Sequence, residues 1–145
     1  MSTVAAILKH KGYQVVTVDP FMRAGDIARM MDQHANGAVL VMDDTEHMLG
    51  IISERDFVRG MAAFGPLLMD MSAVQLMTRG VQVVHLDTTV TEAMRIMTQG
   101  RLRHLPVVDH DTLVGLISIG DVVKARIMGQ DAVVESLTAY VSGSG

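Results

Sequence analysis

Apolar and polar positions alternate along this chain with periods that change several times, and the changes come twice in one order. Thr3 to Lys11 has helical spacing, with Ser2 or Thr3 as its cap and Gly12 as its stop. Val15 to Val18 is a short β-type run, ended by Asp19-Pro20. From Ala24 to Ala35 the residues Ile27, Met30, Met31 and His34 fall on one helical face. Ala38 to Met42 is continuously apolar, as a buried strand is, and Asp43 to Glu46 turns it into a second strand, Met48 to Ile52. A helix then runs from Ser53 to about Phe64, before Gly65-Pro66. The order returns with a strand at Val83 to Leu86 and a helix at Val90 to Gly100 carrying Ala93, Met94 and Met97 inward. Strands follow at Leu105 to Val108 and Leu113 to Ser118, with a helix from Asp121 to Met128. Each pass reads strand, helix, strand, strand, helix. The class expected is α+β, built from two copies of one unit that buries too little surface to be comfortable alone.

The firmest sign of duplication is the junction between the last strand and last helix of each copy. Gly50-Ile51-Ile52-Ser53-Glu54-Arg55-Asp56 is matched by Gly115-Leu116-Ile117-Ser118-Ile119-Gly120-Asp121. Both place a hydroxyl at a strand-to-helix turn and a carboxylate three residues later. Two kinds of chemistry fit. Ser-x-x-Asp is a variant of the capping box, in which the two side chains satisfy the amides of a helix start. The same arrangement suits a nucleotide, whose phosphate meets helix-start N–H groups while the carboxylate accepts ribose hydroxyls.

Composition narrows the field. The 145 residues are 49% apolar and 19% charged, which describes a folded domain, and the net charge of −4 argues against nucleic acid. There is no cysteine, hence no disulfide, thiolate zinc site or cysteine nucleophile. Neither a membrane-length apolar run nor a signal-peptide core stands out, so the expected place is the cytoplasm. Thirteen methionines against three phenylalanines and two tyrosines suggest a core filled by flexible side chains, but simple aliphatic packing is the reading preferred. The six histidines are scattered without metal-binding spacing, and no nucleophile elbow or lysine-bearing phosphate loop occurs. No metal, no catalytic cofactor and no enzyme activity are expected.

The doubled G-h-h-S-x-x-D, together with Arg103-His104-Leu105-Pro106-Val107-Val108-Asp109 before the second hairpin, resembles a tandem pair of CBS (cystathionine-β-synthase) domains. The phrases I-S-E-R-D and L-I-S-I-G-D-V-V-K are similar to the stand-alone bacterial members of that family. The resemblance implies units at 15–65 and 81–129, a helix at 1–14, a linker at 66–80 whose Val74, Leu76 and Met77 pack as a short helix, and a helix with flexible tail at 130–145. It implies two units packed sheet to sheet about a pseudo-twofold axis, a Bateman module, whose clefts bind AMP foremost, or ADP, ATP, NAD or S-adenosylmethionine. It further implies a homodimer that passes a conformational change to an effector protein of unknown identity.

Carried over position by position, the resemblance gives Asp56 and Asp121 to ribose hydroxyls and Ser53 and Ser118 to phosphate. Backbone around Thr17-Val18 and Ala38-Val39 reads adenine at one site, and backbone around His85-Leu86 and His104-Leu105-Pro106 reads it at the other. Arg103 and His104 stand where related subunits hold phosphate, while the first copy has Gly37-Ala38 there. Conversely the first copy offers Arg55 where the second has Gly120; Arg55 is either an exposed first-turn residue or a phosphate ligand. If one cleft alone fills, the expectation is the one with Asp56 and Arg55. The alternative function is a structural dimerisation module whose serine–aspartate pairs are caps and whose clefts stay unoccupied.

Overall fold

The structure, a computed structural model, describes residues 2–129, so the helix expected at 130–140 lies outside the described residues. Its contacts divide the chain into an N-terminal unit, Val15–Gln82, and a C-terminal unit that joins residues 2–14 to residues 83–129. The chain therefore begins in one unit, passes into the other and returns. The fold is α+β, with a three-stranded sheet in each unit.

In the N-terminal unit the order is β1 (Thr17–Val18), α2 (Ala24–His34), β2 (Ala38–Met42), β3 (Met48–Ser53) and α3 (Glu54–Phe64), α1 (Val4–Lys11) belonging to the other unit. A 3₁₀ turn, Gly65–Asp70, then leads into the short helix α4 (Ala73–Leu76). Strand β2 is central, parallel to β1 and antiparallel to β3. Its Ala38 to Val41 are buried, which is why this strand reads as an unbroken apolar run. Helix α2 lays Ala24, Ile27 and Met31 into the core, with Met30 partly buried. The apolar face ends there: His34, expected on the inner face, is exposed at the last residue of the helix. Strand β1 is shorter than the expected Val15 to Val18, and Val16 gives the sheet only its carbonyl, which accepts from Leu40 N at 3.1 Å.

The C-terminal unit contains β4 (Val84–His85), α5 (Val90–Gly100), β5 (His104–Asp109), β6 (Thr112–Ser118) and α6 (residues 119–129), covered by α1 (Val4–Lys11). Strand β5 is central here. Pro106 stands opposite Leu116 as Leu40 stands opposite Ile51, but it has no N–H to donate. The parallel pairing with β4 accordingly starts one residue later, at Val107. Helix α1 buries Val4, Ile7 and Leu8 against Val84, Val90, Ala93, Met97, Leu105 and Ile117. Thr3 is its N-cap residue, but its side chain makes no capping bond. The orphan amides of Val4 and Ala5 donate instead to Thr88 O at 2.8 Å and Leu86 O at 2.9 Å.

Both units are finished in the same way. The start of α1 bridges to the start of α5 through Thr3 and Thr89, and the start of α4 bridges to the start of α2 through Ser72 and Arg23. Helix α1 then crosses the outer strand β6 at Gly115, and the residues just after α4 cross the outer strand β3 at Gly50. A Cβ on Gly115 would stand 2.7 Å from Leu8 Cδ2, and a Cβ on Gly50 would stand 2.7 Å from Met77 Sδ and 2.6 Å from Thr78 O. The glycine that opens each repeated junction is thus a packing requirement: only a residue without Cβ admits the covering segment.

Candidate functional site: two serine–aspartate turns

The junction after β3 forms because an extended strand ends on a residue that caps well. Ser53 is the N-cap residue of α3, extended at φ −120 and ψ 172, and it closes a capping box with Asp56. Ser53 N donates to Asp56 Oδ2 at 2.8 Å and Ser53 Oγ donates to the same oxygen at 3.2 Å. Thr78 Oγ1, on the covering segment, donates to Asp56 Oδ1 at 2.6 Å. Asp56 is the one buried charged residue among the described residues, at 7% exposure, and both its oxygens are engaged. A buried carboxylate needs such donors to be tolerated.

The junction after β6 repeats the plan with one substitution. Ser118 N donates to Asp121 Oδ2 at 2.8 Å, and Asp121 N donates back to Ser118 Oγ at 3.2 Å. In place of the threonine, Lys11 Nζ donates to Asp121 Oδ2 at 2.6 Å and to Leu116 O at 2.8 Å. Burial opposes ionisation of the Asp121 carboxyl, but the Lys11 ammonium and the Ser118 donors outweigh it and hold the pKa below the ordinary aspartate value.

The strands bring the other expected residues to these turns. Ala38 pairs with Ser53 and His104 with Ser118, so the strand preceding each hairpin runs beside the serine. Gly37 O accepts from Glu54 N at 3.2 Å and Arg103 O accepts from Ile119 N at 2.8 Å, which fixes Gly37 and Arg103 as matching positions. Arg103 is exposed and His104 is half-buried; Arg55 is exposed in the first turn of α3. Thr17 and His85 lie exposed on the edge strands β1 and β4, while Val18, Val39, Leu105 and Pro106 are buried. Gly120 has open space around it, since an added Cβ would meet nothing nearer than Ser118 Oγ at 3.6 Å. Sequence reasoning missed Thr78 and Lys11. They sit at different offsets from the residues that cover the glycines, so no repeat spacing announces them.

An open pocket of about 460 Å³ lies in the N-terminal unit between α2 and α3, lined by Met31, Asp32, Ala35, Glu54 and Phe57 among others. Two carboxylates with no cation among its lining residues make it a poor place for a phosphate, and the turns remain the better candidate. Among the described residues no three His, Asp or Glu side chains gather as a metal site. No helix among them is long and apolar enough to cross a membrane.

The CBS domain model of the family matches residues 4–63 and 73–127, one match for each repeat. The chain belongs to the CBS domain family. The two matches begin at α1 and at α4, so the segments that cover the glycines, Leu8 in α1 and Met77-Thr78 just after α4, lie at the leading ends of the repeats. A CBS domain-containing protein of Arabidopsis thaliana mitochondria, CBSX3, is 31% identical over 152 aligned positions, covering 98% of this chain and 73% of that protein. Among solved structures, a CBS-domain containing protein of Agrobacterium tumefaciens is 42% identical, with TM-score 0.84 over 86% of this chain and 93% of that one. The structure of CBSX2 in complex with AMP is 25% identical, with TM-score 0.71 over 90% of this chain and 99% of that one.

Proposed function

We propose that this CBS pair is a non-enzymatic regulatory module that binds an adenosine nucleotide, AMP foremost, at its two serine–aspartate turns. The observation that carries the reading is the duplicated turn itself. In each unit a carboxylate stands in the first turn of a helix beside a strand end, where it can accept ribose hydroxyls while helix-start amides favour a phosphate. A vicinal diol offers two O–H donors, and a carboxylate has about four acceptor sites for them. The complex of CBSX2 with AMP supports the choice of ligand. Arg55, Arg103 and His104 are the candidates for the phosphate charge, and backbone near Thr17-Val18, Ala38-Val39, His85 and Leu105-Pro106 for adenine.

The nucleotide acts by preferring one arrangement of the protein over another, and an effector protein reads the difference. A homodimer is part of this reading. Helix α3 exposes Val58 and Met61 at 69% and 63%, and α6 exposes Ile119, Val123 and Ile127, an i, i+4, i+8 stripe. Isothermal titration with AMP, ATP, NAD and S-adenosylmethionine tests the ligand. Asp56→Ala and Asp121→Ala should each weaken one site by about 1.5 to 3 kcal/mol, as expected for hydrogen bonds to a charged group.

The second reading, a dimerisation module with unoccupied sites, draws on a specific observation: Asp56 already has both oxygens satisfied within the protein. Under it none of the four ligands binds, and the dimer forms regardless.

A further inference from the structure

Both aspartates are held from outside their turns, and the two holders differ in kind. At Asp56 the donors are spread over the carboxylate: Ser53 takes Oδ2 and Thr78 takes Oδ1, at 2.6 Å. A ligand hydroxyl that approaches this group must share Oδ1 with the threonine and compete with it. At Asp121 the donors converge. Ser118 N and Lys11 Nζ both go to Oδ2, so Oδ1 has no partner among the described residues, and 23% of the side chain remains exposed. A ligand hydroxyl arriving there displaces nothing.

Lys11 is fixed as well as near. Its ammonium is shared between Asp121 Oδ2 and Leu116 O, so it is held from two sides. It also neutralises the carboxylate, which lowers the repulsion that an aspartate would otherwise exert on a phosphate group close by. Thr78 supplies a hydrogen bond to Asp56 but no charge. The Asp121 turn therefore presents an open acceptor in a charge-balanced pair, and the Asp56 turn presents an acceptor shared with Thr78 whose charge no cation among the described residues meets at hydrogen-bond range.

Resting on the nucleotide reading above, we propose that Lys11 and Thr78 set the order in which the turns fill: Asp121, oriented by Lys11, takes a nucleoside phosphate first, and Asp56, shared with Thr78, takes one second and more weakly. This reverses the expectation drawn from Arg55 in the sequence. Lys11 and Thr78 are positioning residues, acting through the carboxylates.

The test is calorimetric titration of the ligand-free full chain with AMP. The wild-type isotherm is expected to show a tighter and a weaker step, with Asp121→Asn removing the tighter and Asp56→Asn the weaker. Thr78→Val, which frees Asp56 Oδ1, should tighten the weaker step about 5-fold by deleting one competing hydrogen bond, and Thr78→Ser should restore it. Lys11→Met should weaken the tighter step about 10-fold and leave the weaker alone. A gain in affinity is something a damaged fold does not produce. Loss of the tighter step in Asp56→Asn, or a weaker step unmoved by Thr78→Val, overturns the order while leaving nucleotide binding intact. A wild-type isotherm without heat for AMP, on protein shown by native mass spectrometry to hold no ligand, overturns the nucleotide reading and the order with it.

Discussion

Leu8 lies on Gly115, although 106 positions separate them in the chain: its Cδ2 would be 2.7 Å from a Cβ at that glycine. Met77 and Thr78 lie on Gly50 in the same way. The covering segment of each unit is therefore seated through a glycine, and the consequence for stability differs between the two. Gly50→Ala drives its methyl into a backbone carbonyl, whereas Gly115→Ala meets the end of a buried leucine side chain. We expect Gly50→Ala to cost about 3 kcal/mol and Gly115→Ala about 1 kcal/mol, the range for overpacking a core. Gly120→Ala, with open space around it in a helical turn, should be neutral or stabilising by up to about 1 kcal/mol. Urea unfolding of the three variants measures this; equal costs at 50, 115 and 120 would contradict the packing account.

The salt bridge from Lys11 to Asp121 gives a pH signature. The carboxyl is held below the 3.8 of an unperturbed aspartate, so the folded state binds the proton less readily than the unfolded state. Its contribution is complete above that value and is lost as pH falls through the lower folded value. Lys11→Met removes the ammonium, and the pair is partly solvent-exposed, so the cost at neutral pH is small, about 0 to 1 kcal/mol. The difference between wild type and Lys11→Met should shrink as pH is lowered below 3.8, in thermal melts across that range. A difference that grows on acidification would contradict the assignment.

Asp56 serves the fold whether or not a ligand comes. Asp56→Ala leaves the half-buried Ser53 N without its acceptor, while the hydroxyl of the exposed Thr78 can turn to water, and should cost about 1 to 3 kcal/mol of stability. Asp121→Ala, whose acceptor is more exposed and whose partner Lys11 can turn to water, should cost less. Chemical denaturation of the two variants side by side gives the comparison, and the reverse ranking would contradict it.

Much of this was legible in the sequence because both periods and caps are local. The Ser-x-x-Asp turn, the buried run Ala38 to Val41 and helix α5 at Val90–Gly100 are all set by residues within a turn or two of one another. What lay hidden is long-range. No local pattern tells that Lys11, the last residue of α1, reaches Asp121, or that Thr78 in the stretch read as a linker reaches Asp56. The glycines were visible as repeated letters, but their reason, close approach of a segment from elsewhere in the chain, is a property of the packed unit. His34 misled because it keeps helical phase with Ile27 and Met31 while lying one turn past the end of the apolar face.

The exposed stripes make the homodimer testable. Val58 and Val123 each lie two residues after the motif aspartate, on matching helices, and both are exposed. Val58→Glu and Val123→Glu place charges on those faces, and together they should convert a dimer into a monomer in analytical ultracentrifugation without unfolding either unit. A dimer of unchanged affinity in the double variant would assign the interface elsewhere.

The central claim is that the two turns bind an adenosine nucleotide, and the most direct measurement is AMP titration by calorimetry on protein stripped of bound ligand. The account predicts saturable binding that Asp121→Asn and Asp56→Asn each reduce by one step. Saturable binding untouched by both substitutions, or no binding of AMP, ATP, NAD or S-adenosylmethionine at all, would contradict it and leave the serine–aspartate pairs as helix caps.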